Sequence, residues 1–542
     1  MLGPHETGRS GYPGAVLRIG MIAVVVGAAL AAVGVALAVS PWWWAVAVPL
    51  VALGALGVRD LVQRRHSVLR NYPVIGHARF LLERIRPELQ QYFVERNFDG
   101  RPFDRDIRSI VYERAKGTAA EEPFGTERDV YQAGYEYLVP SMAPRPVPEQ
   151  PPRVRIGGPD CIRPYDMALL NVSAMSFGSL SANAVLALNQ GAAAGGFAHD
   201  TGEGGLSEYH LRPGGDLVWE IGTGYFGCRT RDGDFDPGEF AEKAAAESVR
   251  CVSLKLSQGA KPGIGGVLPG AKVNAEIARV RDVPEGETVI SPPYHRVFST
   301  PRELVRFIAR MRELSGGKPT GFKLCPGSRR QFLAVCKAMI EEGTTPDFIV
   351  VDGAEGGTGA APLEFADHVG TPLTEGLTTV HNALVGTGLR DRIRIGASGK
   401  IATGTDLVKR LIQGADYGNA ARAMMFAVGC IQAQRCHTNT CPVGVTTQDP
   451  RRARALDVGD KAARVRRLQE ATVGSALQIM ASMGVTDPAQ LRPHMLRRRV
   501  DPQTVRSYDV LYDWLSPGQL LVEPPADWAA DWKAADPDRF TI

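Results

Sequence analysis

Three cysteines fall within twelve residues: Cys430, Cys436 and Cys441, with Pro442 directly after the last. Three thiolates on one irregular segment can ligate an iron–sulfur cluster, and a proline after the final ligand is a familiar accompaniment. Zinc normally takes four ligands, and His437 lies too near Cys436 to complete a tidy tetrahedron. Unligated structural thiols are the remaining alternative. The other five cysteines (Cys161, Cys228, Cys251, Cys325 and Cys336) are scattered, and core packing is their expected role. Eight cysteines in 542 residues do not suggest a secreted disulfide scaffold.

Two glycine-rich stretches, ASGKIATG at 397–404 and GNAAR at 418–422, could meet a phosphate. Small residues there let backbone N–H groups reach phosphate oxygens, and the next helix N-terminus adds its dipole. Ordinary turn chemistry is the alternative. Four further stretches are unusually polar for turns: SAMSFGSLS at 173–181, HDTGEGG at 199–205, KLSQGAKPGIGGVLPGAKV at 255–273 and DGAEGGTGAAP at 352–362.

The elements that must carry these loops recur as helix, glycine stop and short apolar strand from about 160 to 445. Thr300-Pro301-Arg302-Glu303 reads as a capping box with proline at the first helical position. Leu304, Phe307, Ile308 and Met311 supply that helix's buried stripe, Gly316-Gly317 ends it, and TGFKL at 320–324 is the strand that follows. FIVVDG, IRIGASG and ADYGNA close the next three units, and CVSLKL an earlier one. Helices alternating with fully apolar strands predict an α/β fold with a parallel sheet covered on both faces. The number of units favours a closed (β/α)8 TIM barrel over a doubly wound open sheet. Such a barrel binds ligands at the C-terminal ends of its strands, often with a phosphate near strands seven and eight.

Outside the barrel, expected at 151–450, a helical lead-in is read at 59–150, ending in a proline-rich boundary, and a C-terminal helical extension and tail at 451–542. Residues 19–39 carry no charge and would span about 30 Å as a helix, enough to cross a bilayer. Pro41 and Trp42-Trp43-Trp44 suit the tip of a transmembrane helical hairpin at 19–58, and arginines flank both ends of it. The positive-inside rule then predicts a cytoplasmic tail at 1–18 and a cell-membrane protein with its catalytic domain on the cytoplasmic side. A cleaved signal peptide, with Ala36-Leu37-Ala38 as its cleavage site, is the competing reading. Hydrophobic content of 44% and charge of 22% are those of a folded globular protein, and a net charge of +4 gives no case for nucleic-acid binding.

The glycine-rich strings, in their order along the chain, resemble the FMN-binding synthase domain of the glutamate synthase large subunit, from about 160 to 448. QGAKPG-GG-LPG-KV and GCIQAQRCHTNTCPVGV are the most distinctive of them. The resemblance implies FMN across the barrel mouth, with Ala174, Met175 and Ser176 against the isoalloxazine ring. Lys323 would lie near the ring's pyrimidine edge, where its ammonium could stabilise negative charge on reduced flavin. Ser398, Gly399, Gly404, Asn419, Ala420 and Ala421 would hold the ribityl phosphate. Cys430, Cys436 and Cys441 would bind a 3Fe-4S cluster within electron-transfer reach of the flavin.

The implied reaction is reductive: electrons pass through the cluster and FMN, then as hydride to an imine of 2-oxoglutarate and ammonia, giving L-glutamate. A dicarboxylate needs cations and amides, for which Lys255, Gln258, Lys261 and Lys272 are candidates, Gln258 and Lys261 foremost. Glu203 could orient ammonia or shuttle protons. The family's full-length enzymes also carry a glutaminase domain with an N-terminal nucleophilic cysteine and a large C-terminal β-helix. Here no cysteine precedes Cys161, and neither segment is expected to fit. Ammonia would then come from solution or a separate glutaminase subunit. No G-x-G-x-x-G fingerprint follows a strand, so ferredoxin or a separate reductase subunit is the expected electron donor. Two alternatives remain at this point: an N-methylglutamate synthase-like enzyme, and a membrane-bound electron-transfer module serving a quinone or partner.

Overall fold

The computed structural model describes residues 13–118, 121 and 123–541. The chain forms two compact units, dividing after Arg101, so the region expected as one lead-in at 59–150 is shared between them.

In the first unit, helix α1 (Pro13–Ala38) and helix α2 (Trp44–Val62) are joined by a single 3-10 turn at Pro41–Trp43. A methyl group on Gly54 would touch Val26, and one on Gly57 would crowd Ile22, so small residues set the close approach of two antiparallel helices. The large apolar side chains point the other way: Val24, Leu30, Leu37 and Trp42 are all exposed. Near the end of α2 the buried Asp60 carboxylate accepts from the Val74 backbone N–H at 2.9 Å and pairs with His77 Nε2 at 2.9 Å. That contact fastens the amphipathic helix Gly76–Leu89, whose Leu81 and Leu82 are exposed. Of the two spans, Pro41–Val62 is long and apolar enough to cross a membrane; the described apolar part of α1, Ile22–Ala38, is shorter.

The second unit is built on eight parallel strands: β1 (Leu170–Val172), β2 (His199–Asp200), β3 (Leu217–Ile221), β4 (Val249–Lys255), β5 (Thr320–Leu324), β6 (Phe348–Asp352), β7 (Arg394–Ser398) and β8 (Tyr417–Ala420). Each pairs with the next and β8 pairs with β1, closing a (β/α)8 barrel. Burial on both faces explains why β3 and β6 read as continuous apolar runs rather than alternating ones. The local signals hold where they were clearest. Thr300 and Glu303 form a reciprocal capping box on the helix Pro301–Leu314, and Gly343 stops the helix Arg329–Glu342 at φ +68°.

The barrel interior has two layers. Ala198, Val218, Cys251, Phe348, Val350 and Tyr417 form an apolar floor. Beneath it an antiparallel hairpin, Val154–Ile156 with Tyr165–Met167, inserts Ile156 and Met167 and closes the N-terminal end. One step further along the strands, Asp200, Glu220, Ser253, Lys255, Lys323, Asn419 and Ser398 form a buried polar layer toward the C-terminal mouth.

The long helix Val458–Ser482 packs over the helices Ala182–Gly195, Gly404–Ile412 and Arg105–Lys116. Its approach is so close that a Cβ on Gly191 would stand 2.7 Å from the Ala462 carbonyl and 2.8 Å from Val465 Cβ. Alanine in a helix is favoured over glycine by about 1 kcal/mol. Here the clash decides the sign: Gly191→Ala is expected to destabilise by about 1–3 kcal/mol, read as a lower thermal unfolding midpoint by circular dichroism.

Candidate active site

The polar layer is organised by two ion pairs. Lys323, from the middle of β5, points into the barrel and pairs with Glu220 of β3, with Asp200 of β2 beside them. Burial would lower the lysine's pKa, but Glu220, then Asp200 and Asp352, outweigh it and hold the ammonium protonated. Asp200 moves upward, through burial and its neighbour Glu220. The second pair sits higher. Lys255 Nζ, at the end of β4, donates to Glu203 Oε1 at 2.9 Å and to Gln258 Oε1 at 3.0 Å. Burial alone would raise the Glu203 carboxyl; Lys255, with Arg281 and Lys261, more than cancels this and keeps it ionised. Lys261, almost wholly buried, has its pKa lowered by burial against the pull of Glu203.

Glycines make room for this carboxylate. A Cβ on Gly222 would meet Glu203 Oε2 at 2.6 Å, and one on Gly266 would collide with Oε1. The loop after β4 is pinned in turn: Asp352 Oδ2 accepts from the Gly259 N–H at 2.9 Å, and a side chain on Gly259 would run into the Gly353 carbonyl. Of the expected substrate-facing side chains, Glu203, Lys255, Gln258 and Lys261 are therefore neighbours. Lys272 turns elsewhere, donating to the Ser179 carbonyl at 3.0 Å beside the cysteine segment.

The expected flavin contacts line the same mouth. Ala174, Met175 and Ser176 follow β1 directly, and the Ser176 hydroxyl accepts from Arg281 Nη2 at 3.3 Å. The Ser398 and Ser173 hydroxyls lie 3.3 Å apart across the β7–β1 gap, and the Ser173 N–H donates to the Ala420 carbonyl at 3.0 Å. Lys400 bends the chain after Gly399 at φ +51°. Residues 398–401 and 419–421 hold a hydroxyl, an amide and backbone N–H groups that suit a phosphate, whereas Ala402 and Thr403 give their N–H groups to Asp406 Oδ2. Gly404 has a packing contact as well: a Cβ there would approach the Ala476 backbone nitrogen to 2.5 Å.

Cys430, Cys436 and Cys441 occupy the irregular segment after the helix Arg422–Ala427. Its backbone takes positive φ at Gln432 (56°), Gln434 (54°) and Asn439 (60°). The Gln432 amide donates to the Phe103 carbonyl at 3.0 Å and Tyr112 OH to the Cys430 carbonyl at 2.7 Å. Burial would raise the Cys441 thiol, yet the Thr446 hydroxyl and the N–H groups of Thr446, Val443 and Val445 bring it below its usual value. Cys430 accepts from the Gln432 N–H at 3.4 Å and is pushed up to about 12 by burial. Among the described residues no three His, Cys, Asp or Glu side chains stand close enough to hold a single metal ion. A cluster spreads its thiolates more widely than one ion does, and three sulfurs, with N–H donors at Cys430 and Cys441, suit it chemically.

Sequence reasoning passed over Glu220, Asp200 and Arg281. One acid inside an otherwise apolar strand, LVWEI, was the available signal for Glu220. It also passed over His199, which faces out from β2 against His210, both fully buried, with neither His199 nitrogen hydrogen-bonded.

Two measurements follow from these burials. Lys255→Met strands the Glu203 carboxylate and is expected to cost about 3–5 kcal/mol, with part restored in Lys255→Met/Glu203→Gln, by chemical denaturation. Burial lowers His199 from 6.5 to about 3, so the unfolded chain takes up a proton at a higher pH than the folded one. Stability should therefore fall as pH drops below 6.5 toward 3, and His199→Gln should flatten that slope.

The model of the conserved region in glutamate synthase matches residues 165–486. The glutamate synthase large subunit-like protein YerD of Bacillus subtilis (strain 168) is 37% identical over 513 residues, 87% of this chain and 97% of that protein. The archaeal glutamate synthase (NADPH) of Methanocaldococcus jannaschii is 35% identical over 330 residues, 60% of this chain and 61% of its own length. The glutamate synthase (NADPH) large chain of Azospirillum brasilense is 35% identical over 283 residues, 51% of this chain but 17% of that one. This chain thus spans nearly all of YerD but only a part of the other two relatives. With its closed barrel, its buried ionic mouth and these matches, the chain belongs to the glutamate synthase family and is an oxidoreductase of that type.

Proposed function

We propose that the chain reductively aminates 2-oxoglutarate to L-glutamate at an FMN seated over the barrel mouth, with electrons delivered through a 3Fe-4S cluster. The observation that carries this reading is the Lys255 ammonium shared between Glu203 and Gln258, with Lys261 beside it. That mouth offers cations and an amide for a dicarboxylate and an ionised carboxylate for an amine.

Bound FMN supplies the hydride. Ala174, Met175 and Ser176 would lie against its ring and Lys323 at the pyrimidine edge, while Ser398, Gly399, Gly404, Asn419, Ala420 and Ala421 would surround the phosphate. Cys430, Cys436 and Cys441 would hold the cluster. Gln258 and Lys261 bind and orient the keto acid. Glu203, kept ionised by Lys255, accepts a hydrogen bond from ammonia and orients it as the nucleophile. The Lys323–Glu220 pair keeps a protonated amine fixed in a site that excludes water, where charge acts more strongly than in solution.

Ammonia comes from solution or a separate glutaminase subunit, and electrons from ferredoxin or a reductase subunit. The matched relatives from Methanocaldococcus jannaschii and Azospirillum brasilense are named as NADPH enzymes. Supporting a place in the cell membrane, with the barrel on the cytoplasmic side, are the apolar helix Pro41–Val62 and the outward-facing Val24, Leu30, Leu37 and Trp42.

The test is reoxidation of the anaerobically prereduced protein, followed by its visible spectrum. Addition of 2-oxoglutarate with ammonium should restore the yellow absorbance of oxidised flavin and release L-glutamate. Faster oxidation by 2-oxoglutarate with methylamine would favour N-methylglutamate formation. Oxidation by a quinone alone would favour an electron-transfer module.

A further inference from the structure

Among the described residues, Lys272 is a buried cation without a carboxylate. It is 2% exposed, and the hydrogen bond it makes goes to the Ser179 carbonyl, which carries no net charge. The charged or ionisable groups acting on it are the sulfurs of Cys436 and Cys441, which attract it, and Arg281, which repels it. The other buried cations of the mouth are treated differently: Lys323 has Glu220, and Lys255, Lys261 and Arg281 have Glu203. A buried ammonium needs a compensating negative charge. Two neutral thiols do not provide one.

The surroundings fix the ammonium where it is. Lys272 ends a 3-10 turn, Gly270–Lys272, whose Ala271 carbonyl accepts from Asn439 Nδ2 at 3.0 Å. Asn439 lies between Cys436 and Cys441, so turn and cysteine segment are one hydrogen-bonded piece. Gln448 Nε2 reaches back from the same segment to the Gly178 and Leu180 carbonyls at 3.0 and 2.8 Å. Those carbonyls flank Ser179, the residue that accepts from Lys272.

We propose that Lys272 is the counter-ion of the iron–sulfur group held by Cys430, Cys436 and Cys441, and that its charge raises that group's reduction potential. The inference rests on the cluster reading given above. Ligating sulfurs are thiolates, so the group and its ligands present the negative charge that Lys272 otherwise lacks. Reduction adds one further electron. A fixed positive charge nearby then stabilises the reduced form more than the oxidised form, through a poorly screening interior. Lys272 is a positioning residue in this account, since it acts through the cysteine-held group and touches no substrate.

The test uses the full chain, extracted and purified without air, with iron and flavin assayed and the iron–sulfur signal titrated by electron paramagnetic resonance. In Lys272→Met and Lys272→Gln the midpoint should move to more negative potential, while Lys272→Arg stays near the parent value. Loss of iron in the two neutral variants, with flavin kept and iron retained in Lys272→Arg, would support the same assignment. An unchanged midpoint in the neutral variants would overturn it. So would loss of iron in all three variants with flavin kept, which would make Lys272 a packing residue. Parent protein that binds flavin but no iron would instead remove the cluster reading itself, and the inference with it.

Discussion

Ions buried inside a closed barrel have no water to turn to, and the structure around the mouth follows from that. Lys323 and Glu220 stand on strands β5 and β3, separated by β4, so their contact passes over the intervening strand on the inner face and exists only when β3, β4 and β5 are in register. Either ion alone in that position would cost several kcal/mol. Below them the apolar floor needs no such matching. Layering along the barrel axis therefore separates the packing that holds the fold from the charges available for chemistry.

The loops above that layer behave as one body. Asp352 fastens the segment after β4 to β6, Asn439 joins the cysteine segment to the turn at Ala271, and Gln448 joins it to the segment after β1. A displacement of the cysteine segment would therefore pull on the residues next to Ala174–Ser176 and on the loop carrying Gln258 and Lys261. The glycines at 222, 259 and 266 are required by these approaches rather than by flexibility, since an added Cβ would strike a carboxylate or a carbonyl.

Local chemistry was legible in the residues; partners across the barrel were not. The capping box at Thr300 and Glu303 involves four consecutive positions, and the structure has it as read. The alternation of helices with apolar strands likewise sufficed for the barrel, because two-face burial leaves its mark on strands such as β6, FIVVD. Lys323 was recognisable as a strand lysine, but Glu220 lies 103 positions earlier, and only the shared register of β3, β4 and β5 brings the two together. Lys272 was grouped with Lys255, Gln258 and Lys261 because the four share one glycine-rich string. The 3-10 turn at Gly270–Lys272 rotates it to the cysteine side. Gly404 shows the same limit: its contact with the helix Val458–Ser482 is made by residues more than seventy positions away.

The hairpin formed by Val154–Ile156 and Tyr165–Met167 makes the barrel a vessel with a single opening. Ile156 and Met167 are almost completely buried there, packed with the apolar floor. On the reaction proposed above, keto acid, nitrogen donor and product would all share the strand-end rim. An ammonia-generating subunit would then dock on that side, beside whatever delivers electrons to the proposed cluster.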